Sequence, residues 1–172
     1  MTDLILAIDQ GTTGSTIALM DTDGRLLTSV NHEFPQIFPQ PGWVEHDPES
    51  IWQSVLNGLF AIFSDTQYLV SQVAAIGITN QRETAVLWDS QTGEAVHNAI
   101  VWQCRRTTDF CEDLKAAGYE ALIKAKSGLV LDPYFSATKF KWILDYAPTA
   151  KTLLAEGRLL AGTIDTLSLI HI

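Results

Sequence analysis

The chain opens on a continuous apolar run, Leu4 to Asp9, closed by an acid, which is the pattern of a central strand buried on both faces. After a short turn from Gln10 to Gly14, residues Ser15 to Asp21 read as a second strand. Asp21-Thr22-Asp23-Gly24 predicts a hairpin turn in which Gly24 takes a positive φ, and Arg25 to Phe34 continues as a third strand. Three hairpin-linked strands at the start disfavour a Rossmann domain, which needs a helix after its first strand.

The stretch from Pro35 to Pro48 holds four of the six prolines and Gly42, and reads as a loop. Asp47-Pro48-Glu49 is a helix start: Asp at the N-cap, Pro at the first helical position, an acid in the first turn. Ile51, Trp52, Val55, Leu56, Leu59, Phe60 and Phe63 then form an apolar stripe at helical spacing. Val73 to Thr79 predicts another buried strand, Thr84 to Trp88 a further one, Ser90 to Glu94 a turn, and Ala99 to Trp102 a short strand. Helical patterns follow from Arg105 to about Ala117, from Tyr119 to Lys126 and from Ala137 to Tyr146, with a loop over Gly128 to Phe135. Hairpin strands, a helix, more strands and then helices describe an α/β domain with a mixed sheet, with no internal repeat and no linker long enough to separate domains.

Composition narrows the partners. The 172 residues are 47% hydrophobic and 18% charged, a globular balance, and 20 acids against 11 bases give a net charge of -9. That argues against nucleic acid or an anionic membrane as a main partner, since both need a basic face, although backbone N–H groups and a magnesium ion can still hold phosphate. No run reaches the roughly 18 apolar residues of a membrane span. The start, Met1-Thr2-Asp3-Leu4, lacks the basic segment of a secretion signal, and a reducing cytoplasm is the expected compartment. Cys104 and Cys111 match no metal-ligand spacing and are expected as two half-buried thiols on one helix face.

Two polar clusters carry candidate chemistry. In Asp9-Gln10-Gly11-Thr12-Thr13-Gly14, the glycines let backbone N–H groups approach an anion and the two threonines add hydroxyl donors. Asp9 is placed to hold Mg²⁺ through water. The same string also makes an ordinary hairpin, and it is not a Walker A loop. Asn80-Gln81-Arg82-Glu83 follows an apolar strand, at the carboxyl end where ligands of α/β sheets gather. Arg82 donates and Glu83 accepts, the mixture a vicinal diol needs, while the bland alternative is a solvated turn with a local ion pair. Trp102 and Tyr134 could wall the carbon skeleton of a small polyol, or simply pack in the core.

Taken together, Asp9-Gln10-Gly11-Thr12-Thr13, Pro41-Gly42-Trp43-Val44-Glu45-His46-Asp47-Pro48, Asn80-Gln81-Arg82-Glu83-Thr84, Val101-Trp102-Gln103, Arg105-Arg106-Thr107, Asp132-Pro133-Tyr134-Phe135-Ser136 and Gly162-Thr163-Ile164-Asp165-Thr166 resemble the FGGY carbohydrate kinases, and most specifically their glycerol-phosphorylating members. The resemblance implies a ribonuclease H-like, actin-like ATPase fold with a mixed sheet, ATP and Mg²⁺ as cofactors, and glycerol as acceptor. It implies that Thr12, Thr13 and Gly14 line the ATP phosphates, that Arg82, Glu83 and Tyr134 bind the polyol hydroxyls, and that Trp102 packs on its carbons. Two positions depart from the family pattern: Thr16 stands where an Arg is frequent, and Cys104 where an Asp is frequent.

The family's catalytic Asp belongs to a later Gly-Asp-Gln-Gln segment that this sequence does not contain, so the expected assignment is a partial N-terminal kinase domain over residues 1–166, inactive by itself. Leu167 to Ile172 leaves the family pattern and reads as a non-native read-through tail. The sequence leaves open whether the parent is a homo-oligomer, whether it acts on another sugar or polyol, and whether it is a non-catalytic nucleotide-binding module.

Overall fold

The computed structural model describes residues 3–64 and 67–171, with side chains described as far as residue 168. Ile172 and the side chains of residues 169–171 of the tail singled out above therefore lie outside the described residues. The chain divides into two compact units: Met1–Gln36, Asp47–Gln81 and Ile164–Ile172 form the first, and Ile37–His46 with Arg82–Thr163 form the second.

The first unit is built on β1 (Leu4–Gln10), β2 (Gly14–Asp21), β3 (Leu26–Glu33) and β5 (Val73–Asn80), in the order β3-β2-β1-β5. β1 pairs antiparallel with β2 and parallel with β5, so the sheet is mixed as expected. The Asp21–Gly24 turn closes as the sequence predicts: Gly24 N donates to Asp21 O at 3.1 Å and φ of Gly24 is 81°. α1 (Pro48–Phe63) packs on one face, and its Asp47 cap accepts from Glu49 N and Ser50 N. Leu4, Leu6, Ile8, Ile17, Leu19, Val55 and Ile62 make the core of this unit. Each such side chain contributes about 1.5–3 kcal/mol by leaving water. The predicted helical stripe is too wide: Leu56 and Phe60, one turn apart on the same ridge, face outward, with Phe60 at 76% exposure. Gly58 takes the inward place instead, since a Cβ there would meet Ile17 Cγ1 at 2.3 Å. α6 (Ile164–His171) lies against β5 and α1.

The second unit carries two short antiparallel pairs, β4 (Glu45–His46) with β7 (Ala99–Ile100) and β6 (Val86–Asp89) with β8 (Leu159–Gly162). Around them lie α2 (Thr108–Ala116), α3 (Glu120–Ser127), α4 (Ser136–Tyr146) and α5 (Ala150–Ala155). β8 and α5 have too little periodicity to read from sequence, and β4 sits inside the stretch that its prolines mark as loop. Leu87, Ile100, Cys104, Ile143, Ala147 and Ala150 are its core. The Arg106 side chain is fully buried: its Nη2 donates to Glu45 Oε1 at 2.6 Å, and its guanidinium lies 4.0 Å and 4.5 Å from the ring centroids of Trp43 and Trp142. Stacking on two indoles suits a weakly hydrated, delocalised cation.

Cys104 and Cys111 do not share a helix, because α2 starts only at Thr108 after Arg105 N has bonded Gly42 O. Both thiols are fully buried and not half-buried as expected, and both are free. Cys104 Sγ accepts from Arg106 Nε at 3.0 Å, which gives the departure at this position a local role. Among the described residues no helix is long and apolar enough to cross a membrane.

Candidate functional site

The first candidate cluster is the turn between β1 and β2. Its carbonyls are held from behind: Gly11 O accepts from Gln81 Nε2 at 3.2 Å, Thr12 O from Gln36 Nε2 at 3.0 Å and Thr13 O from Phe34 N at 3.3 Å. In a planar trans peptide each N–H points opposite to the preceding carbonyl, so this anchoring turns the amides of Thr12, Thr13 and Gly14 the other way. Asp9 is exposed at the end of β1, in register with Thr16 on β2 and Thr79 on β5. Thr16 Oγ1 accepts from Asn31 Nδ2 at 2.9 Å, so a neutral hydroxyl–amide pair occupies the place where the sequence pattern leads one to expect an arginine.

Gly14 does more than keep a turn flexible. A Cβ there would come within 2.8 Å of His32 O and 3.0 Å of the Glu33 Cα, so the residue is set by the close approach of β3. Gln10 is fully buried and neither its Oε1 nor its Nε2 has a hydrogen-bond partner among the described residues. Gln36 and Gln81 are the supporting residues that sequence reasoning missed here. Gln81, within the polar string that the sequence singles out but assigned no contact there, is 6% exposed and faces the turn, with its own N–H bonded to Gln10 O at 2.7 Å.

The second cluster lies in the second unit. Arg82 is exposed and makes no ion pair among the described residues. Glu83, the only non-glycine with positive φ (65°) among the described residues, sits in the left-handed region, at a strain of about 1–2 kcal/mol for a residue with a Cβ. Its Oε2 accepts from Ser136 N at 2.8 Å and from Ser136 Oγ at 2.7 Å. Trp102 and Tyr134 meet edge to face with centroids 5.9 Å apart, and Tyr134 meets Phe135 in the same way at 5.1 Å. Tyr134 N donates to Asp132 Oδ1 at 2.8 Å, and the same oxygen accepts from Arg105 Nη1 at 3.2 Å. Glu83, Trp102 and Tyr134, scattered over fifty residues of sequence, thus come together around the first turn of α4.

Beneath them lies Lys139, a fully buried lysine that sequence reasoning missed. Its Nζ donates to Tyr134 O and, at 3.1 Å, to Phe135 O. Burial pushes its ammonium down to about 8, against an opposing pull from the Glu83 carboxylate. The signal was present in the sequence, because Lys139 shares a helix face with the buried Ile143 one turn on.

A mixed sheet of three hairpin strands and a parallel fourth, with a polar, glycine-bearing turn after the first strand, is the arrangement of the actin-like ATPase fold. Residues 4–167 match the N-terminal domain of the FGGY family of carbohydrate kinases, and the chain belongs to that family. It is 57% identical over 161 residues to a glycerol kinase of Symbiobacterium thermophilum and 55% identical over 162 residues to one of Xylella fastidiosa strain M23. In both cases 94% of this chain is matched to 32% of the relative, so the chain spans about a third of the relatives' length. Among solved structures, the Plasmodium falciparum glycerol kinase with ADP superposes with a TM-score of 0.89 at 32% identity, covering 96% of this chain and 33% of that one. The gluconate kinase of Lactobacillus acidophilus gives a TM-score of 0.78 at 26% identity, over 88% of this chain and 30% of that one.

Proposed function

We propose that this chain is the N-terminal third of an ATP-dependent glycerol kinase, carrying the polyol pocket and one phosphate-binding turn of an enzyme that makes glycerol 3-phosphate. The observation that supports it most is the convergence of Glu83, Trp102 and Tyr134 in one cluster beside Arg82. Glu83 uses Oε2 for Ser136, and Oε1 takes no part in those bonds, so one carboxylate oxygen is left to accept from a substrate hydroxyl. Arg82 supplies donors to neighbouring hydroxyl oxygens, and the Trp102 and Tyr134 rings cover the carbons.

On the nucleotide side, Thr12, Thr13 and Gly14 offer N–H and hydroxyl groups to phosphate oxygens. Asp9, exposed and at the rim of that turn, is the carboxylate suited to a magnesium ion that keeps most of its water. When bound, that ion neutralises charge on the transferring phosphates. Thr16 contributes no charge, so nucleotide phosphates are held here by dipoles and not by a guanidinium from β2. Phosphoryl transfer is catalysed chiefly by positioning, so the part these residues play is to hold the nucleotide phosphates and the polyol hydroxyls in place. The compartment consistent with ATP and free thiols is the cytoplasm.

The test is a substrate panel on the full-length kinase, obtained from the gene that continues this sequence or by continuing residues 1–166 with the remainder of the Symbiobacterium thermophilum relative. Glycerol is expected to exceed xylulose and gluconate in kcat/KM by at least about 100-fold, since a site built to pair particular hydroxyls rejects poorly matched ones strongly. A preference for either sugar would defeat the assignment.

A further inference from the structure

We propose that Ser136 and Lys139, neither of which need touch the polyol, are positioning residues: the first turn of α4 uses Ser136 to aim the Glu83 carboxylate and Lys139 to fix the segment that carries Tyr134. This rests on the polyol-kinase reading above and deepens it. The oddity is one of placement. A lysine four residues into a helix, with no exposed surface, opposes the positive end of the helix dipole and gives up its hydration. An apolar side chain would fill the same volume without either penalty. What only the lysine can do is donate to two successive main-chain carbonyls, Tyr134 O and Phe135 O, and it does both. Those carbonyls belong to the segment whose aromatic ring meets Trp102 at 5.9 Å.

Ser136 completes the device from the other side. Its amide and hydroxyl both end on Glu83 Oε2, a fork that fixes one carboxylate oxygen and orients the other. Glu83 also carries a backbone strain that persists only when its surroundings hold it. One helical turn therefore sets both the acceptor and the aromatic wall, and a single displacement of α4 would misplace the two together. The charged and titratable groups that bear on Lys139 are Glu83, Cys104, Asp132 and Cys111, so its proton is coupled most strongly to the polyol anchor. With an ammonium lowered to about 8, the charge-assisted bonds to Tyr134 O and Phe135 O weaken as pH rises past that value.

The experiment is steady-state kinetics on the full-length kinase with Ser136→Ala, Ser136→Thr and Lys139→Met. Ser136→Ala is expected to raise KM for glycerol about tenfold with KM for ATP within about twofold, and Ser136→Thr, which keeps a hydroxyl, to restore most of it. Lys139→Met is expected to raise glycerol KM similarly and to remove a fall in kcat/KM for glycerol that the wild type shows above about pH 8. Equal losses for glycerol and ATP, or glycerol KM unmoved in Ser136→Ala, would overturn the proposal; so would a pH profile identical in wild type and Lys139→Met. Should Lys139→Met fail to fold, the Ser136 pair decides. If the wild type prefers another acceptor, the function assigned above fails while the same KM comparison, run on that acceptor, still decides this one.

Discussion

Gln81 ties the end of β5 to the β1–β2 turn twice, through its backbone N–H to Gln10 O and through its side chain to Gly11 O. The next residue, Arg82, opens the second unit. One glutamine therefore braces the turn proposed to hold phosphate, at the same point of the chain where the proposed polyol cluster begins. Replacing Gln81 with Ala leaves a carbonyl of the turn without its donor, at about 1–2 kcal/mol. The expected result in the full-length kinase is a rise of roughly 5- to 30-fold in KM for ATP, measured at saturating glycerol. A change confined to glycerol KM would count against the bracing role.

Gly14→Ala tests the packing of the same turn. The added Cβ meets backbone atoms of His32 and Glu33, which cannot rotate aside as a side chain would. Overpacking of this kind costs about 1–3 kcal/mol, which for a chain of this size lowers Tm by roughly 3–10 °C. Gly77→Ala on β5 is the control: nothing lies within 4 Å of its Cβ position, so its Tm is expected within about 2 °C of wild type or slightly above.

Much of this architecture was legible from local rules, and what escaped them did so for physical reasons. The Asp47 cap, the Gly24 turn and the buried strands β1 and β2 follow from short-range preferences that tertiary contacts only reinforce. The stripe on α1 was overdrawn because hydrophobicity alone does not say that Gly58 must face Ile17 while Phe60 faces out. The clustering of Glu83 with Trp102 and Tyr134 was expected from family resemblance and not from spacing, since nothing local links residue 83 to residue 134. Support from behind was the least legible feature: Gln36, Gln81, Ser136 and Lys139 act through bonds made at a distance in sequence or to backbone atoms, and a polar residue gives no sign in sequence of which partner it will find.

Arg82→Ala removes an exposed donor fork that the polyol reading assigns to substrate hydroxyls. Since Arg82 forms no ion pair among the described residues, its loss leaves no buried partner stranded, and the fold is expected to keep its Tm within about 1 °C. The loss in glycerol affinity is expected at about 2–4 kcal/mol, or roughly 30- to 1000-fold in Kd, read by calorimetry on the full-length kinase. An unchanged Kd would favour a nucleotide-binding module without a polyol site.

His46 gives the chain a sharp acid limit. It is fully buried on β4, and burial pulls its imidazolium from 6.5 down to about 4. The folded state therefore binds fewer protons than the unfolded state between those two values, so stability is complete above pH 6.5 and is lost as pH falls toward 4. The full loss from this one group is on the order of 3 kcal/mol, reached near pH 4 and not increasing below it. His46→Gln, which carries no proton in this range, should flatten the slope of Tm against pH between 6.5 and 4. If the variant and the wild type lose Tm in parallel across pH 6.5 to 4, the acid sensitivity lies elsewhere and His46 is not its source.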